Sequence, residues 1–139
     1  TYQLPLTLLV LTWANDVGAY FSGKFLGKRK LFERISPNKT WAGFYGGSIL
    51  TIVLLFLLNE RNLTGLDNLS SVSIILLSIT ISTFATFGDL YQSYTKRIYG
   101  VKDSGSILPG HGGIWDRFYG FFFVIYCYFF FQFTSALFF

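Results

Sequence analysis

Charge is what this sequence has least of. Of its 139 residues only 13% are Asp, Glu, Lys or Arg, against about 25% in an ordinary soluble domain. It has one Cys, one His, three Pro and no Met. The lone Cys127, set in an apolar run, excludes a disulfide scaffold and a cysteine zinc site. The lack of Met predicts that the sequence is a piece of a longer protein. No basic leader with a small-residue cleavage site opens it, so the first apolar stretch is expected to be a span rather than a signal peptide. Disorder, collagen and coiled coil are excluded, because apolar content is high and neither period appears.

Apolar residues fill the space that charge leaves. They make up 52% of the chain, aromatics alone 21%, and the mean hydropathy is +0.48. Four runs stand out, from about Tyr2 to Phe21, Trp41 to Leu58, Ser71 to Gly88 and Phe118 to Phe139. The second is 18 residues without a charge, or about 27 Å of helix, close to the roughly 30 Å of a bilayer core. Helix is expected for all four, since an open strand edge cannot face lipid. The fold class read from this pattern is all-α, a polytopic membrane helix bundle of about four transmembrane helices with two basic cytoplasmic loops.

Basic residues supply the orientation. Lys24, Lys28, Arg29, Lys30, Arg34 and Lys39 lie between the first two runs, and Lys96, Arg97, Lys102 and Arg117 between the last two. Only Arg61 lies between the second and third. The positive-inside rule puts the two basic loops in the cytoplasm and both chain ends opposite. The net charge of +4 is thus a membrane-surface feature suited to anionic headgroups or phosphates, and predicts no nucleic-acid partner. Gly43 and Gly47 form a small-xxx-small face suited to helix packing.

Polar residues concentrate beside the basic loops. Between Gly88 and Arg117 lie Asp89, Asp103 and Asp116, four basic residues, His111 and six of the fourteen glycines. Aspartate oxygens suit Mg²⁺, which shares ligands with substrate phosphates. Lys and Arg neutralise phosphate charge, and glycines let backbone N–H groups approach it. That combination fits phosphoryl transfer, which needs no protein nucleophile. The earlier loop carries a second constellation: Asp16, Gly23, Gly27-Lys28 and Ser36-Pro37-Asn38-Lys39-Thr40-Trp41. Ser36, before Pro37, is expected to N-cap the second span, where free N–H groups and Lys39 could meet an anion.

These elements resemble the phosphatidate cytidylyltransferase (CDP-diacylglycerol synthase) family. The resemblance rests on Gly88-Asp89-Leu90, Ser93, Lys96-Arg97, Lys102-Asp103, Gly105, Pro109-Gly110-His111-Gly112-Gly113 and Asp116-Arg117. Upstream it rests on Asp16, Ala19-Tyr20-Phe21, Gly23, Gly27-Lys28, Ser36-Pro37, Lys39, Thr40 and Trp41. It implies a single membrane-embedded catalytic region over residues 1–139, the C-terminal part of a longer multi-pass protein. It implies transfer of CMP from CTP to phosphatidic acid, giving CDP-diacylglycerol and pyrophosphate. Asp89 and Asp116 would be metal ligands. The catalytic set would be Asp89, Lys102, Asp103, His111, Asp116 and Arg117. Ser36, Lys39, Thr40, Ser93, Lys96, Arg97, Gly112 and Gly113 would bind substrate and phosphate.

The implied cofactor is Mg²⁺, with a second cation as an option. The implied partners are CTP, phosphatidic acid and the bilayer, and a homodimer through the Gly43–Gly47 face is a further option. The expected location is a bacterial inner membrane or an organellar or ER membrane, with the active site facing the cytoplasm. Three positions depart from the family pattern: Ala42, Gln92 and Tyr119 stand where it usually has acids. Two alternatives stay open, a cytidylyltransferase for another lipid phosphate and a non-catalytic membrane protein that binds anionic lipid.

Overall fold

A computed structural model of the chain describes residues 3–66, 69–100, 119–126 and 128–129. The elements run α1 (Gln3–Leu26), β1 (Lys30–Phe32), β2 (Ser36–Thr40), α2 (Trp41–Glu60) and α3 (Ser71–Ile98). A further helical stretch covers 119–126 and 128–129. The protein is thus mostly helical, but the all-α expectation needs one correction. The first basic segment folds as an antiparallel hairpin, with Lys30 opposite Thr40 and Phe32 opposite Ser36.

Local chemistry sets the helix ends. Thr40, in extended conformation, N-caps α2, its hydroxyl oxygen accepting from the Gly43 N–H at 3.1 Å. The expected cap, Ser36, instead opens β2. The reason is distance along the chain: Pro37 and Asn38 continue the strand, and helical geometry begins only at Trp41. Ser70 caps α3 in the same way, accepting from Ser73 N–H at 3.2 Å. Gly100, at φ +67°, follows the C-cap of α3 in the left-handed conformation that glycine adopts freely.

The third run is longer than its hydropathy suggests. The span expected to stop at Gly88 continues ten residues to Ile98, so Asp89 lies inside α3 rather than in a loop. No Gly or Pro interrupts residues 89–98, Leu90 and Gln92 are buried, and Lys96 and Arg97 sit where the helix dipole favours cations. With 28 residues α3 is about 42 Å long, more than the roughly 30 Å a bilayer core requires.

Two helices, α2 and α3, are long and apolar enough to cross a membrane. Only 28% and 33% of their most apolar windows are buried, whereas the core helix of a soluble protein would be mostly covered. Ile49, Val53, Val72 and Leu76 lie exposed on them, an arrangement suited to lipid. These features mark a membrane protein. The α1 helix has the length, and it carries Asn15 and Asp16 within its run.

Close backbone approach joins α1 to α2. A Cβ at Gly47 would lie 2.7 Å from the Asn15 carbonyl oxygen, and one at Gly18 would lie 2.9 Å from that of Gly46. The Gly43–Gly47 face is therefore packed against α1 of the same chain, the helix-packing role that its spacing predicts. One apolar core, including Leu8, Leu11, Leu55, Ile81, Ala85 and Val124, draws on all three long helices and the 119–129 stretch. Buried hydroxyls of Thr12 and Thr51 donate to the carbonyls of Leu8 and Gly47, at 2.7 and 2.9 Å, which satisfies them without water.

Candidate functional site

Three helices and the hairpin meet around one cavity of about 230 Å³. Asn15, Asp16, Ala19 and Tyr20 come from α1, and Leu31, Lys39 and Thr40 from the hairpin. Gly43 and Phe44 come from the first turn of α2, and Thr86 and Asp89 from α3. The glycine contacts explain why the cavity can form here. Gly43 and Gly47 bring the polar turn of α1 against α2. Thr40, packed close to Gly23 and Gly27, holds the hairpin on the same end of the pair.

The central contact is an ion pair. Lys39 Nζ lies 2.8 Å from Asp89 Oδ2 and donates to it, joining residues 50 apart in sequence. The two side chains are 27% and 30% exposed, so solvent screens the pair and a competing ligand can reach both groups. Asp89 Oδ1 faces a different neighbour. A Cβ at Gly120 would lie 2.9 Å from it, and one at Gly88 would lie 2.9 Å from Phe123 Cβ. Glycines at 88 and 120 thus let the 119–129 stretch approach without crowding the carboxylate.

The expected site residues divide into four groups. Lys39, Thr40 and Asp89 line the cavity, although the Thr40 oxygen is engaged as an N-cap. Ser93, Lys96 and Arg97 are brought into line with Asp89, because α3 continues through them. Their offsets of four, seven and eight residues place them on one face of the helix. Ser36 is not among the cavity-lining residues. Lys102, Asp103, His111, Gly112, Gly113, Asp116 and Arg117 lie outside the described residues. Among the described residues no cluster of three or more His, Cys, Asp or Glu side chains could hold a metal.

Two departures from the family pattern have clear surroundings. Gln92 is buried, and the Tyr119 ring stacks on Tyr91 with centroids 6.4 Å apart and planes at 21°. Residues not included in the expected binding sets also enter the cavity. Asn15 is 3% exposed, with an Oδ1 that has no hydrogen-bond partner among the described residues, and Thr86 stands three residues before Asp89. An Asn-Asp pair inside an apolar run was the available signal for the first. Thr86 had none, since it reads as an ordinary polar residue of a span.

Comparison with known proteins bears on the same residues. A model of the cytidylyltransferase family matches residues 2–135. The phosphatidate cytidylyltransferase of Bacillus subtilis is 49% identical over 116 residues, covering 84% of this chain and 42% of that protein. That of Haemophilus influenzae is 44% identical over 123 residues, covering 82% and 40%. That of Staphylococcus haemolyticus is 48% identical over 120 residues, covering 84% and 44%. The chain therefore spans less than half the length of these relatives. The family match runs through α1, the hairpin, α2 and α3, the elements that build the cavity, and the chain belongs to the cytidylyltransferase family.

Proposed function

We propose that this region carries the site at which CMP passes from CTP to phosphatidic acid, yielding CDP-diacylglycerol and pyrophosphate. The Lys39–Asp89 pair on the cavity wall is the observation that carries this reading. It places an exchangeable cation and an acid at one end of helices built for a bilayer. The relatives named phosphatidate cytidylyltransferase support the choice of substrates. In this reading the chain crosses the bilayer four times, as a single catalytic region of a multi-pass protein. The hairpin and residues 96–117 face the cytoplasm, so that CTP arrives from water and the lipid from the side.

Mg²⁺ is the ion this reading calls for. Asp16 and Asp89 both line the cavity, and aspartate oxygens suit that ion. Asp89, with Asp116, would hold the ion, which when bound would offset phosphate charge. Lys39 leaves Asp89 for a substrate phosphate, a move that exchanges one charge-assisted contact for another. Ser93, Lys96 and Arg97, on the same face of α3 as Asp89, extend the cationic track for phosphate. A phosphatidate oxygen attacks the α-phosphorus of CTP in line. The new P–O bond forms as the bond to the bridging oxygen breaks, and that oxygen leaves with pyrophosphate. Positioning and charge neutralisation carry the rate.

The test is pyrophosphate release from CTP by the full-length protein in micelles containing phosphatidic acid. Release that requires lipid, Mg²⁺, Asp89 and Asp116 is the expected result. Release that persists in both Asp89→Asn and Asp116→Asn defeats the site assignment.

A further inference from the structure

The segment from Lys28 to Lys39 carries two populations of cations, and the cavity is lined by only one. Lys39 is paired with Asp89. Lys28, Arg29, Lys30 and Arg34 are exposed, and among the described residues none has an ion-pair partner. The one acid among them is Glu33, also exposed. A cluster of this kind on a soluble protein would usually be a solvated face. Here its height is fixed. The Trp41 N–H, on the first residue of an apolar helix long enough to cross a bilayer, donates to the Arg29 carbonyl at 3.1 Å. Lys30 pairs with Thr40, the cap of the same helix.

Arg29 and Lys30 are therefore held about one strand spacing, roughly 5 Å, from the point where α2 begins. That is the headgroup layer of any bilayer that α2 crosses. The apolar surroundings agree. Phe25 and Leu26, at the end of α1, are 74% and 70% exposed, and Phe32 and Trp41 are exposed as well. Aromatic residues among cations suit the interface, where rings sit at headgroup depth and cations reach phosphates.

We infer that the outer face of the hairpin, through Arg29, Lys30 and Arg34, is a binding surface for anionic phospholipid headgroups of the surrounding leaflet. This surface is separate from the cavity and would hold anionic lipid whether or not the cavity transfers cytidylyl groups. For an enzyme with an anionic lipid substrate, it would raise the local concentration of that substrate beside the entrance.

The experiment measures lipid selectivity by electron spin resonance, using full-length protein in phosphatidylcholine bilayers. Trace spin-labelled phosphatidylglycerol or phosphatidylcholine reports the share of each lipid held at the protein. The expected result is a preference for phosphatidylglycerol that falls in 1 M salt, where the screening length is about 3 Å. The combined Arg29→Gln, Lys30→Gln and Arg34→Gln variant should lose preference by up to about fivefold per cation removed. Glu33→Gln should raise it. An unchanged preference in a folded triple variant overturns the inference. So does abolition of the preference by saturating CTP, which would assign the cations to nucleotide. If the triple variant does not fold, Glu33→Gln decides, and no rise overturns the inference.

Discussion

The two ends of the α1–α2 pair are built on different principles. At one end, the turn after α2 is tied by short-range hydrogen bonds. Asn59 Oδ1 accepts from Leu69 N–H at 3.1 Å, its Nδ2 donates to the Leu69 carbonyl at 3.3 Å, and the Leu63 N–H bonds back to Leu58 at 3.0 Å. At the other end, Lys39 bonds across 50 residues to Asp89, and Lys28, Arg29, Lys30 and Arg34, in and just before the hairpin, have no ion-pair partner among the described residues. One end is tied by hydrogen bonds within a single turn, and the other by a contact between distant elements with a set of exposed cations beside it.

Substitutions can break that comparison. The largest expected effect is Asp89→Asn, which should slow pyrophosphate release on the order of 100-fold and leave the melting temperature of the detergent-solubilised protein nearly unchanged. A matching fall in melting temperature would make Asp89 a structural residue. Next comes Gly47→Leu, at the crossing of α1 and α2, where a Cβ would already lie 2.7 Å from the Asn15 carbonyl oxygen. It should cost about 1–3 kcal/mol by overpacking, read as a lowered melting temperature, with Gly47→Ala milder.

Lys39→Met sharpens the contrast. It should raise the KM for CTP or phosphatidic acid about tenfold, the scale of one lost charge-assisted phosphate contact. Its effect on stability should stay below about 1 kcal/mol, because the ion pair is partly exposed. The smallest effect belongs to the opposite end. Asn59→Ala removes two hydrogen bonds to Leu69 and should lower stability by about 1 kcal/mol, with kcat and KM unaltered. A change in either kinetic constant would show that the two ends are coupled.

Much of this was legible in the residues. The apolar runs, the packing role of Gly43 and Gly47 and the polar constellations around Asp16, Lys39 and Asp89 all depend on local pattern. Two features were not. The hairpin at 30–40 is short and charged, so no alternation announces it, and its strands exist because they pair with each other. The last ten residues of α3 are polar enough to read as a loop. They stay helical because propensity is adequate and buried Leu90 and Gln92 tie them down.

The sequence by itself determined the class of molecule. Scarce charge and long apolar runs leave few folds besides helices in a membrane, and a run of residue types needs no partner to be read. Tertiary structure decided which polar groups act together. Only the close approach of glycines in α1 and α2, and the hairpin laid over α3, bring Asp16, Lys39 and Asp89 to one cavity. It also separated Lys39 from the outward cations of the same segment. The physical reason is that a charge acts through its distance to other charges, and across 50 residues of chain that distance is set by packing.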